Sequence, residues 1–84
     1  MNTFFEVGQV VVVQTVPPQV IADGEKFPET LELFQKAIGN TCCIRGFNHY
    51  GFAELWLDAD GTENPSGTTH TIWIETRYLQ SAEH

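Results

Sequence analysis

Thr41-Cys42-Cys43-Ile44-Arg45-Gly46-Phe47-Asn48-His49-Tyr50-Gly51-Phe52-Ala53-Glu54-Leu55-Trp56-Leu57 is the stretch whose reading decides the fold. Successive side chains of a strand point to opposite faces, so apolar residues at every second position mark a sheet with one covered side. Residues 41–47 divide in that way, with Cys42 and Ile44 on one face and Cys43, Arg45 and Phe47 on the other. Residues 52–57 repeat the pattern, with Ala53, Leu55 and Leu57 inward and Phe52, Glu54 and Trp56 outward. Between them, Asn48-His49-Tyr50-Gly51 supplies Asn and Gly, the residues that tolerate the positive φ of a hairpin turn. The stretch predicts an antiparallel hairpin.

Outward from the hairpin, Val7-Gly8-Gln9-Val10-Val11-Val12-Val13-Gln14 is rich in β-branched residues and predicts a strand. Residues 10–13 are apolar on both faces, so both faces should be covered. Val16-Pro17-Pro18 ends the strand, because proline donates no ladder hydrogen bond. Residues 15–27 read as a long excursion, and Pro28 then opens a short helix, its fixed φ suiting the first turn. Glu29 and Glu32 near the helix start and Lys36 near its end complement the dipole. Leu31, Phe34 and Ile38 give one apolar stripe, and Gly39 stands just past the end, where a left-handed conformation is needed. Residues 58–69 form a polar loop containing Asp60-Gly61, Asn64-Pro65 and Ser66-Gly67. Residues 70–75 return to alternation, with Ile72 and Ile74 inward and Thr71, Trp73 and Glu75 outward. Thr76-Arg77-Tyr78 predicts a tight turn before a short strand at Leu79-Gln80. The class is mainly β, with five short strands and one short helix inserted after the first strand. Closure into a small barrel would remove the exposed edges of such a sheet.

Three pieces resemble the Src-homology-3-like (SH3-like) barrel. Phe5-Glu6-Val7-Gly8-Gln9-Val10-Val11-Val12 is similar to its entry strand, and the hairpin of residues 42–57 is similar to its central strand pair. Ile72-Trp73-Ile74-Glu75-Thr76-Arg77-Tyr78-Leu79 is similar to the strand, one-turn helix and short strand that seal it. The resemblance implies a five-stranded barrel. The Ala-Leu-Tyr-Asp-Tyr motif, from which signalling modules of that fold build a proline-peptide groove, does not occur here. The basic charge of its nucleic-acid-binding relatives is missing as well. A shared barrel implies no shared activity.

The 84 residues suit a single domain spanning 1–84, and an apolar fraction of 42% is ample for a core. The net charge of -7 sets eleven acids against Lys26, Lys36, Arg45 and Arg77. Phosphate binding draws on Lys and Arg, so this balance disfavours nucleic acid, and an anionic membrane surface repels it. A basic protein is the partner that electrostatics favours. No basic start precedes an apolar run, and nothing approaches the ~20 apolar residues of a spanning helix, so the expectation is a cytoplasmic protein. Cys42 and Cys43, neighbours on opposite faces of a strand, read as reduced thiols.

The period-two pattern gathers Trp56, Trp73, Phe52 and Phe47 on one outer face, with Arg45, Glu54 and Glu75 among them. Large rigid rings rimmed by charge suit recognition, since they bury much area at low entropic cost. The alternative is that the helix or the 15–27 excursion covers the rings as a second small core. Asp58-Ala59-Asp60-Gly61-Thr62-Glu63 departs from an EF-hand loop, because glycine directly follows the second acid and Thr69 holds the twelfth place. Isolated His49 and His70 lack zinc-ligand spacing, and Cys43, with only Arg45 and His49 nearby, lacks the parts of a nucleophilic group. No catalytic residue, metal or cofactor is expected. The favoured reading is a small acidic protein-interaction module, such as a bacterial accessory, inhibitor or immunity-type protein. A nucleic-acid-binding barrel and a small enzyme or metal-binding domain are the alternatives. The doubly apolar entry strand also allows a homodimer that pairs across a symmetry axis.

Overall fold

The computed structural model describes residues 5–66 and 70–82; Gly67 and Thr69, named above, lie outside them. The described elements are β1 (Val10–Val13), α1 (Pro18–Ala22), α2 (Pro28–Ala37), β2 (Thr41–Cys43), β3 (Gly46–Phe47), β4 (Ala53–Leu57), β5 (His70–Ile74), a 3-10 turn (Thr76–Tyr78) and β6 (Leu79–Ser81). They build two antiparallel three-stranded sheets, ordered β2-β1-β6 and β3-β4-β5.

The expected five-stranded SH3-like barrel does not form. Among the described residues six strands make two open sheets, neither closed on itself, and two helices rather than one follow β1. The cause lies inside residues 41–47, expected as one strand. The Arg45 N–H donates to the Glu54 carbonyl at 2.9 Å, while Gly46 also stands opposite Glu54 in the ladder. Two residues against one interrupt the pairing and bend the chain. β2 therefore pairs with β1 and β3 with β4, in different sheets. Alternation alone keeps Cys42 and Ile44 buried across this break and does not reveal it.

The extra helix arises at Pro17-Pro18, past the end of β1 at Val13. Pro18 occupies the first turn of α1, so the residue that forbids a ladder bond also starts a helix. In α2 the buried residues are Leu33, Phe34 and Ala37, with Leu31 partly buried against them. Ile38, expected at the end of the stripe, is 44% exposed, because the helix stops at Ala37 and Ile38 takes an extended conformation. It bridges Val13 in parallel, and the Gly39 N–H donates to the Val13 carbonyl at 2.8 Å. Gly39 has φ +84°, the left-handed geometry expected just past the helix.

The core joins both sheets and α2. Val11 and Val13 of β1, Leu55 and Leu57 of β4, and Ile72 and Ile74 of β5 pack with Leu33, Phe34 and Ala37. Full burial of each aliphatic chain contributes about 1.5–3 kcal/mol. Val10 and Val12, on the other face of β1, are half-buried. Both edges of β1 are occupied, Val11 lying opposite Cys42 on one side and Val12 opposite Gln80 on the other. The strand expected to pair across a symmetry axis thus has its backbone bonded within the chain. Among the described residues no helix is long and apolar enough to cross a membrane.

Candidate functional site

The outer face of β3-β4-β5 holds most of the singled-out residues. Register places Glu54 directly opposite Trp73, and Trp56 opposite Thr71. Trp73 is 43% exposed, while Trp56, Glu54 and Phe52 are half-buried. Neither indole is among the side chains packed against the core, so α2 joins the inner core instead of capping the rings. Trp56 is overlaid by a side chain from the break between β2 and β3, since the Arg45 guanidinium lies 4.9 Å from its ring centre. A cation over an indole face is attracted by the negative quadrupole of the ring.

Glu63 fixes this arrangement. Its Oε2 accepts from Arg45 Nη2 at 2.9 Å and from the Cys43 N–H at 2.9 Å. The loop after β4 turns back to deliver it. The Asp58 N–H donates to the Thr62 carbonyl, the Asn64 N–H donates to the Trp56 carbonyl, and Leu57 bridges Glu63. Glu54 pins the same ring by accepting from Trp56 Nε1 at 3.0 Å. Arg45 Nε is buried without a hydrogen-bond partner, so the guanidinium relies on Glu63 and the indole. From the sequence, Glu63 is one acid of a loop that departs from a calcium site. Its role depends on the loop reversing, which spacing does not display.

Phe47 lies apart from that face. The extra residue at 45–46 sets it opposite Ala53, whose side chain is in the core. Phe52 neighbours Tyr50, their ring centres 6.1 Å apart, at the tip of the 48–51 turn. Asn48 builds that turn by accepting at Oδ1 from the Tyr50 and Phe52 N–H groups, while Gly51, at φ +82°, supplies the left-handed residue. Glu75 accepts from Arg77 Nε at 2.8 Å on the exposed surface.

The acidic loop is organised as a turn. Asp60 Oδ1 accepts from the Thr62 hydroxyl at 2.6 Å and from its N–H at 3.0 Å, and these bonds hold the Asp60 carboxyl below its ordinary pKa. Gly61, at φ +84°, sits against the end of α2. A Cβ there would lie 2.5 Å from the Lys36 carbonyl carbon. Asn40 Nδ2 donates to both the Lys36 and Gly61 carbonyls and clamps the two segments. Cys42 and Cys43 are free thiols; burial, then the nearby Glu63 charge, pushes Cys42 up to about 11. His49 and His70 are both exposed, His49 beside Tyr50 and His70 at the start of β5.

In comparisons with known proteins, the chain matches no family model, no curated protein and no solved structure.

Proposed function

We propose that this chain is a protein-interaction module that receives a basic segment of a partner on the outer face of β3-β4-β5. The observation that carries the reading is Trp73, 43% exposed and directly opposite Glu54. A Lys or Arg from a partner would meet an indole and a carboxylate together, the combination that favours a cation most. Arg45 over Trp56, paired with Glu63, is the same chemistry already made within the chain. Hydrogen bonds and ion pairs hold Trp56, Glu54 and Arg45, so little side-chain freedom would be lost on binding. The net charge of -7 adds long-range attraction for a basic partner.

The test compares immobilised wild-type protein with Trp73→Ala in capture from the native host, at low and at raised salt. The expected outcome is a basic protein retained by the wild type, lost from the variant and released by salt. Identical capture by both proteins, or capture indifferent to salt, would overturn the reading.

A further inference from the structure

The outer edge of β5 carries backbone chemistry that the aromatic face does not use. The carbonyls of Glu54 and Trp56 accept from Arg45 and Asn64, on the side of β4 away from β5. Peptide groups alternate in direction along a strand, so those of Ala53, Leu55 and Leu57 face β5. Their partners in register are Ile74, Ile72 and His70. The N–H and C=O groups of Thr71 and Trp73 therefore point to the opposite edge. Among the described residues no strand and no backbone group bonds them there. Proteins blunt such edges with Lys, Pro or a bulge. His70-Thr71-Ile72-Trp73-Ile74 contains neither residue, and its register with β4 is unbroken.

Each end of β5 opens on a hollow. Beside His70 lies one of about 250 Å³, lined by Glu29, Glu32 and Leu33. Beside Glu75 lies another of about 210 Å³, lined by Tyr50 and Phe52. We infer that β5 is a docking strand to which an extended, basic segment of a partner protein adds as a fourth strand, reaching Glu29 and Glu32 at one end. This inference rests on the interaction reading above and specifies its mode. Two N–H and two C=O groups fix the direction and register of the added strand, and side chains beside Trp73 select the sequence. A second copy of the chain would bring -7 against -7, so the occupant that charge favours is basic.

The test titrates the isotope-labelled full chain with a synthetic peptide alternating Lys and Val, and with the same peptide N-methylated along one edge. Binding of the unmethylated peptide should slow hydrogen exchange at the Thr71 and Trp73 amides, and methylation should weaken affinity at least about tenfold. Thr71→Pro should weaken binding similarly and leave the thermal midpoint nearly unchanged, since among the described residues this N–H has no backbone partner. Equal affinity for both peptides, with Trp73 fluorescence still perturbed, would overturn strand addition and leave the aromatic-face reading standing. Absence of any response to the basic peptide at millimolar concentration would overturn both. Sedimentation showing a dimer that Thr71→Pro dissolves would assign the edge to a second copy and overturn the basic occupant.

Discussion

Gly61 is the residue on which the packing of the acidic loop against α2 turns. Its φ of +84° disfavours any side chain, and a Cβ would stand 2.5 Å from the Lys36 carbonyl carbon. Gly61→Ala should cost about 2–4 kcal/mol, combining left-handed strain with forced separation of loop and helix. Gly51 has a similar φ of +82° but open space around its Cα, so Gly51→Ala should cost about 1–2 kcal/mol. Urea unfolding of the pair separates conformational strain from close contact, and equal losses would refute the contact. Cys42 makes stability depend on pH. Its thiol is raised from 9.0 to about 11, first by burial, so the core favours the neutral form. The raised folded value means that this stabilisation is whole below the unfolded pKa and disappears as pH rises towards 11. At about 1.4 kcal/mol per unit, wild-type stability should fall by up to about 3 kcal/mol across that window. Cys42→Ala should flatten the fall, as urea midpoints at pH 8 and 10.5 would report, and parallel declines in the two proteins would count against it.

Among the elements, β4 and β5 follow the alternation in the sequence closely. Ala53, Leu55 and Leu57 are buried as read, as are Ile72 and Ile74, because a half-buried antiparallel strand writes its two faces directly into its residues. The break at Ile44-Arg45 leaves no such mark, since the inserted residue shifts hydrogen bonds while both neighbours keep suitable side chains. That one hidden residue divides an expected strand between two sheets and sends Phe47 to the side of Ala53. The helical segment was legible at its start, through Pro28, at Gly39 and in Phe34 and Leu31 of the apolar stripe, but not in Leu33 and Ala37, which it also buries, nor in Ile38, which it leaves exposed. Which side of α2 meets the core depends on where the chain returns to β1, at the Val13–Ile38 bridge. Within the site, Trp73 and Glu54 were readable from period two, whereas Glu63 was not, because only the reversed loop brings it to Arg45. Asn40 links two elements, since its one side chain joins α2 to the loop after β4. Asn40→Ala should cost about 1–2 kcal/mol by leaving the Lys36 and Gly61 carbonyls without that donor. An unchanged urea midpoint would show the clamp to be idle.

Across the whole molecule, charge and chain order set the behaviour. A net charge of -7 on 84 residues imposes self-repulsion that salt screens. The thermal midpoint should rise by about 2–5 °C between 10 mM and 150 mM sodium chloride, and a fall would mean that the ion pairs of Arg45 and Lys36 outweigh repulsion. The two sheets differ in how far apart their strands lie along the chain. Neighbouring segments supply β3, β4 and β5, but β1 is flanked by β6, with Val11 opposite Ser81. The β3-β4-β5 meander therefore needs nothing beyond Ile74, while β1 keeps one edge bare until Leu79–Ser81 pair with it. A chain truncated after Tyr78 would hold all three strands of the meander beside a valine strand with one edge bare, open to pairing with another chain.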